Sequence, residues 1–162
     1  MLHSPVQFRS ALRGAGESGQ SMVEFALVLP LVLIIVLGLL DVGKAVSYWQ
    51  DETHLANEAA RYAAVNKTPV SGQPIETAVM SEASTNELKN GGGSIDQRGC
   101  ISISTPDGPA KGNRVVVTVT SKYKFLDFLF GSNFKKSITA TSTMRLEQDY
   151  NDAGTGGPSP CP

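Results

Sequence analysis

The chain has 162 residues, a size typical of one domain, and its 14 basic and 15 acidic residues give a formal charge of −1 at pH 7. That balance excludes a general nucleic-acid binder, which carries a basic excess, while 41% hydrophobic and 18% charged residues exclude a wholly disordered chain. An unbroken apolar stretch from Ala26 to Leu40 also excludes a simple soluble domain.

The first predicted element is a membrane-spanning helix from Met22 to Leu40, with Glu24 as its one charged residue. At ~1.5 Å per residue this helix is ~29 Å long, close to the ~30 Å hydrocarbon core of a bilayer. The segment before it is basic, so we expect the N-terminus in the cytoplasm and the C-terminal part outside. Glu24 either reaches the headgroups or awaits a positive partner. Pro30 is expected to kink or loosen the helix.

A cleaved secretory signal is the alternative interpretation of this segment. Gly43-Lys44-Ala45 is a poor small-x-small cleavage site, and the apolar stretch is long for a signal peptide. Under this interpretation, the mature protein would begin near Val46 and would be secreted.

The helix is expected to continue to residue 65, because no proline or glycine interrupts positions 44–65. Apolar or small residues recur at helical spacing, at Val42, Ala45/Val46, Trp49, Thr53, Ala56, Ala59/Ala60 and Ala63. We expect this stripe to pack on the chain's own domain, although it would also suit a neighbouring subunit. The charged residues are expected mostly on the other sides, namely Asp41, Lys44, Asp51, Glu52, Glu58 and Arg61. Tyr48 and Trp49 are expected near the outer headgroup layer.

The rest of the chain predicts a small sheet after a second helix. Residues 67–73 are a break, Ile75 to Leu88 is the second helix, and residues 90–94 form a flexible loop. Apolar residues alternate with polar ones around Ile101 and Ile103, then from Val115 to Phe125 and from Ile138 to Leu146, which is typical of half-buried strands. The long helix is the natural cover for their apolar face. The predicted class is therefore α+β, a long N-terminal membrane-spanning helix continuing into a small antiparallel-sheet extracytoplasmic domain.

Large apolar residues connect the two long strands, at Leu126, Phe128, Leu129, Phe130 and Phe134. We favour a loop folded over the edge of the core, and the alternative is an exposed contact patch for a partner subunit or the membrane.

Cys100 and Cys161 would face an oxidising compartment if this topology is right. A disulfide between them is one of two equal possibilities, because residues 151–162 are rich in Gly, Pro and Ser and are expected to be a disordered tail. The predicted organisation is thus a leader at 1–19, a span and extended helix at 20–65, an extracytoplasmic domain at 66–150, and that tail.

Few residues suit catalytic or metal-binding chemistry. The two histidines and two cysteines form no Cys-x-x-Cys or His-x-x-x-His spacing, so we expect no zinc site. A Ser-His-Asp or Cys-His apparatus would have to use His54, which lies in the helical pattern close to the membrane. We therefore expect no enzyme, no cofactor and no small-molecule substrate.

The run from Gly19 to Pro30 (GQSMVEFALVLP) resembles the TadE-like proteins, the minor pseudopilins of the tight adherence (Flp type IVb) pilus system. A glycine before the scissile bond and a glutamate at the fifth position after it are typical of a type IV prepilin processing site, here Gly19 and Glu24. Phe25 and Pro30 stand in register with them. The resemblance is strong over about residues 19–65, including DVGKA at 41–45 and ANEAARYA at 56–63, and is weaker at STMRLE, 142–147.

The resemblance implies that a prepilin peptidase cuts between Gly19 and Gln20, and that the mature helix inserts among other pilin or pseudopilin subunits at the pilus assembly platform in the cytoplasmic membrane. Cleavage would create an α-amino group on Gln20, one helical turn from Glu24. That amine would offset the cost of burying the Glu24 carboxylate, within one chain or between neighbours. An N-terminal glutamine that cyclises loses this charge unless methylation protects it.

The second hypothesis is a single-pass anchored binding or sensor module that keeps its leader. A pocket with converging polar groups would favour it.

Overall fold

The computed structural model describes residues 15–70, 72–127 and 133–151. Within these ranges the chain forms α1 (Ala15–Ala64), α2 (Ile75–Met80), α3 (Asn86–Asn90), β1 (Cys100–Ser104), β2 (Arg114–Lys124) and β3 (Lys135–Arg145). A long apolar helix before a small antiparallel sheet confirms the predicted α+β class. Residues 1–14 of the expected leader and 152–162 of the expected tail lie outside the described residues.

The chain divides into two compact units, and the division falls between Leu40 and Asp41 within α1. In the first unit the large apolar side chains are exposed, as for Leu27 at 74% and Leu39 at 68%. Gly19–Ala64 contains a window with a mean hydropathy of 2.9 and no buried residue, long and apolar enough to cross a membrane. The described residues thus hold one candidate span, where the sequence predicts it.

The second unit contains the three-stranded sheet, in the order β1-β2-β3 with both pairs antiparallel. Alternate side chains of β2 are buried, from Val115 to Tyr123, which confirms the predicted period of two. The register places Val117 opposite both Ile103 and Ser142. One face of the sheet is therefore apolar and needs a cover.

Part of α1 provides that cover. The helix and sheet share one core whose buried members on the helix are Leu55, Ala56, Ala59, Ala60, Ala63 and Ala64. Alanines dominate the helix side of this core, which also contains Val115, Val117 and Val119 of the sheet. A second, smaller core joins Ala45 and Tyr48 on α1 to Ile95 and Tyr123.

The buried stripe of α1 differs from the predicted one at its start. Val42, Val46 and Trp49 are 53%, 46% and 50% exposed, whereas Tyr48 and Glu52 are 5% and 0% exposed. The predicted buried stripe is therefore wrong at Val42, Val46 and Trp49 and confirmed at Ala45. In this part of α1, hydrogen bonds to the sheet and its loops determine which side of the helix is buried, and the hydropathy of the side chains does not.

The predicted helix from Ile75 to Leu88 is two short helices. Between them, the backbone N–H of Ser84 donates to a carboxylate oxygen of Asp51 at 2.9 Å, and its hydroxyl donates to the other at 2.8 Å. Thr85 then caps α3 by accepting from the N–H of Leu88 at 3.3 Å. The contact with α1 thus turns the chain where propensity alone would continue the helix.

Candidate functional site

The predicted processing residues lie near the N-terminal end of α1. Gly19 and Gln20 are both exposed and helical, and a Cβ built on Gly19 would meet no atom within 4 Å. Glycine lowers helix stability by about 1 kcal/mol relative to alanine, and the first turns of a helix lack part of their hydrogen bonding. The peptide bond after Gly19 is therefore accessible and lies in a weak part of the helix.

Gln20 and Glu24 are in contact in the intact chain. The side-chain amide of Gln20 donates to Glu24 Oε1 at 3.2 Å, across one turn of the helix. This contact places the Glu24 side chain beside that of Gln20, one helical turn earlier in α1. The Glu24 carboxylate is thus within reach of residue 20, from which the new amine would arise.

Phe25 and Pro30 occupy the same exposed helix. Phe25 is 65% exposed, and Pro30 lies inside α1 without ending it. Because proline has no N–H, the carbonyl of Ala26 loses its intrahelical donor at this point. Both residues are available to a neighbouring helix.

A polar cluster formed by Asp41, Tyr123 and Leu126, here called the Asp41 cluster, lies just after the apolar stretch. The Tyr123 hydroxyl donates to Asp41 Oδ1 at 2.7 Å, and the Leu126 N–H donates to Oδ2 at 2.9 Å. Leu126 has a φ of +48°, a conformation that non-glycine residues rarely adopt. Asp41 therefore fixes both the end of β2 and the turn that follows it.

Tyr48 makes a second polar contact, about one helical turn beyond Lys44. Its hydroxyl donates to Glu87 Oε2, which also accepts from the Ser94 N–H at 3.1 Å. Burial raises the pKa of Tyr48 well above its usual value, and the Glu87 charge adds to this effect. The Tyr48 hydrogen bond in turn lowers the pKa of Glu87. The Tyr123 ring contacts the Tyr48 ring in a tilted arrangement, with centroids 5.6 Å apart. It contacts the Phe125 ring edge to face, with centroids 4.7 Å apart.

Glu52 lies between the two cores and is fully buried. It accepts a hydrogen bond from the Ser121 hydroxyl through Oε1, and Oε2 has no hydrogen-bond partner among the described residues. Burial raises its pKa to about 7, the Ser121 hydrogen bond opposes the rise, and the neighbouring Asp51 charge adds to it. A carboxyl group in this position is close to half protonated at neutral pH.

A groove of about 320 Å³ lies at the C-terminal end of α1, lined by Glu58, Arg61, Tyr62, Ala64, Val65, Met144 and Glu147. It combines one guanidinium with two carboxylates and an apolar floor. A groove of this size is at the small end for ligand sites.

The structure brings together some of the sequence-predicted residues. Gln20 and Glu24 are in contact, and Cys100, which begins β1, is disulfide-bonded. Cys161 lies outside the described residues, as do Phe128, Leu129 and Phe130. Across the described ranges, no three His, Cys, Asp or Glu side chains could hold a metal ion.

Sequence reasoning missed the Asp41 cluster, the Tyr48–Glu87 pair and Glu52. One signal was present, since Asp41, Ala45, Tyr48 and Glu52 follow helical spacing. A stripe containing two carboxylates does not look like a core-facing stripe until its partners on the sheet are known.

The architecture defines a class: an α+β protein with one candidate membrane helix, exposed along its apolar stretch and followed by a small sheet domain. Residues 19–61 match the family described as TadE-like protein, which confirms the resemblance over that segment. No curated protein and no solved structure matches the chain.

Proposed function

We propose that this protein is a structural minor pseudopilin, anchored in the cytoplasmic membrane, that acts in assembly of tight adherence pili after cleavage by a prepilin peptidase. The observation that carries the proposal is the match at residues 19–61, which begins at Gly19 and covers Glu24, Phe25 and Pro30. The exposed, apolar helix that presents these residues supports it. The protein would act as a peptidase substrate and a helix-packing subunit, and not as an enzyme.

The geometry supports a sequence of two events. First, the peptidase unwinds the weak N-terminal turns of α1 and cuts after Gly19, leaving Gln20 as the mature N-terminus. Second, the new α-amine pairs with a Glu24 carboxylate, which the Gln20 amide contacts before cleavage. The amine carries a proton at neutral pH, so the pair neutralises a carboxylate that would otherwise be costly in an apolar bundle.

Gly19→Val is expected to abolish this processing, because a β-branched residue fills the open space beside the scissile bond and restricts the backbone. Gly38→Val is the matched control, since Gly38 lies in the same helix with equally open surroundings. The readout is the mature N-terminus of protein from native membranes, by intact mass and terminal peptides, with and without the peptidase. A start at Met1 in the unmodified chain would contradict the proposal and favour an anchored binding module.

Glu24→Gln is expected to leave cleavage intact and to impair assembly. Glutamine keeps the shape and accepts a hydrogen bond but loses the charge, and a hydrogen bond to a charged group contributes about 1.5–3 kcal/mol. Subunit incorporation should therefore fall by roughly 10-fold or more. The measurement is co-purification of the cleaved chain with pilus subunits from membranes. Normal assembly of the variant would make the amine–carboxylate pair dispensable.

The alternative is an uncleaved single-pass binding or sensor module, and the groove lined by Glu58, Arg61 and Glu147 supports it. The N-terminal measurement separates the two, because this alternative keeps the leader. A start near Val46 would instead indicate plain secretion.

A further inference from the structure

The end of the sheet that carries Lys124 and Lys135 lies beside the first residue after the apolar stretch. Phe125 N–H donates to the Phe134 carbonyl at 2.9 Å, which closes this end of the β2–β3 pair. The next residue, Leu126, is bound to the Asp41 carboxylate. The sheet end is therefore hydrogen-bonded to the residue that directly follows the apolar stretch.

Lysines concentrate at this end of the sheet. Lys124 and Lys135 face each other across the β2–β3 pair. Lys122 lies two residues before Lys124 on β2, and Lys136 directly follows Lys135 on β3. Asp96 pairs with Lys135 at 2.9 Å, and Asp127 lies 3.8 Å from Lys124. Lys122, Lys124 and Lys135 therefore lie around Asp96, and the Lys135 hydrogen bond, followed by the charges of the three lysines, lowers its pKa. Lys136 stands opposite Tyr123, on the other face of the sheet.

Two other carboxylates lie close to this end and offset part of its charge. Asp41 accepts from the Tyr123 hydroxyl and Glu87 from the Tyr48 hydroxyl. The Tyr48 hydrogen bond lowers the pKa of Glu87, and the charges of Lys44 and Lys124 lower it further. Lys122 and Lys136 make no ion pair among the described residues, so they are the lysines available to an anionic surface.

An aromatic side chain projects from the same end. Phe134 is 68% exposed, although Phe125, to which its carbonyl is hydrogen-bonded, packs against the smaller core. An exposed phenylalanine between lysines is typical of surfaces that insert into a headgroup layer. It has no described contact that would explain its position within the domain.

We propose that this basic sheet end, formed by Lys122, Lys124, Phe134, Lys135 and Lys136, binds the anionic headgroups of the membrane that α1 crosses. The proposal rests on the membrane span in the proposed function, and goes beyond it by giving the sheet domain its own lipid contact. Headgroup layers add roughly 5–7 Å on each side of the hydrocarbon core. Asp41, which binds this end of the sheet, directly follows the apolar stretch. The lysines bind lipid phosphates while Phe134 enters the layer between them.

A tryptophan at position 134 gives a direct test. The chain has one tryptophan, so Trp49→Phe combined with Phe134→Trp leaves a single reporter at the sheet end. The full chain is reconstituted in nanodiscs of neutral phosphatidylcholine, with or without anionic phosphatidylglycerol, containing lipids brominated at shallow or deep positions. We expect shallow bromines to quench the reporter, more strongly with anionic lipid than without, and high salt to reverse that increase.

Charge reversal tests the role of the lysines. One lysine near an anionic surface changes the binding constant by about fivefold, so Lys122→Glu with Lys136→Glu should lower docking by at least about 25-fold. Lys111→Glu is the control, because Lys111 is exposed at the opposite end of the sheet, where it precedes β2. Quenching that is the same with and without anionic lipid, and that charge reversal does not change, would overturn the proposal. A reporter that is not quenched at all would also overturn it.

Hydrogen–deuterium exchange on the unmodified chain provides a second measurement that needs no substitution. Amides of residues 122–127 and 133–136 should exchange more slowly in anionic than in neutral nanodiscs, and those of 65–70 should not change. Equal exchange in both lipids would overturn the proposal. Failure of cleavage after Gly19 would leave these results unaffected, so the two proposals fail separately.

Discussion

Replacing Glu52 with glutamine is expected to raise the free energy of unfolding by about 3 kcal/mol above about pH 7. Glu52 is fully buried, and its pKa is raised from 4.5 to about 7. Above that pH the folded protein holds a buried carboxylate, and glutamine removes its charge. Below about pH 4.5, both side chains are neutral and the two proteins should have similar stability.

The sign follows from proton binding. Between pH 4.5 and about 7 the folded chain holds the Glu52 proton more tightly than the unfolded chain, so this contribution to stability falls as the pH rises. The difference in the free energy of unfolding between the unmodified chain and Glu52→Gln separates the Glu52 contribution from those of other titrating groups. Urea unfolding of the full chain in detergent, followed by circular dichroism at several pH values, measures it. A difference that does not grow across this window would contradict the buried, pKa-shifted carboxyl group.

Tyr123→Ala is expected to lower the free energy of unfolding by about 3–5 kcal/mol. Its ring is fully buried and contacts the rings of Tyr48 and Phe125, so truncation leaves a cavity in the smaller core. Its hydroxyl also donates to Asp41, the residue that fixes the turn at Leu126.

Tyr123→Phe is the matched control for this prediction. It keeps the ring contacts and removes only the hydroxyl, for an expected loss of about 1–2 kcal/mol. The same urea titration gives both values. If the two variants were equally stable, ring packing would not be the main contribution of Tyr123.

The sheet could be predicted from sequence because its physical rule is local. Side chains in a strand alternate between faces, so Val115, Val117 and Val119 reveal both the strand and its buried side. The span is equally direct, since its length and composition match a bilayer. The two long strands were predicted within a few residues of their observed limits.

The details of the site depend on contacts between distant parts of the chain. Val46 and Trp49 have the hydropathy of core residues, yet α1 turns Tyr48 and Glu52 inward because Glu87 and Ser121 bind them. Likewise, Asp51 interrupts the predicted second helix by binding Ser84. A one-dimensional pattern contains none of these partners, so it cannot rank a carboxylate above a valine for burial.

The alanine stripe of α1 has a consequence for biogenesis. Ala64 is synthesised about 82 residues before Leu146, the last core residue of the sheet, a delay of roughly 4–16 s at ~5–20 residues per second. During that time the part of α1 beyond the apolar stretch has no sheet to pack against, so its core-facing side is exposed. Alanine exposes little apolar area, so the waiting helix is a poor target for aggregation or for sliding into the bilayer. The residues that permit close packing in the finished domain also protect the nascent chain.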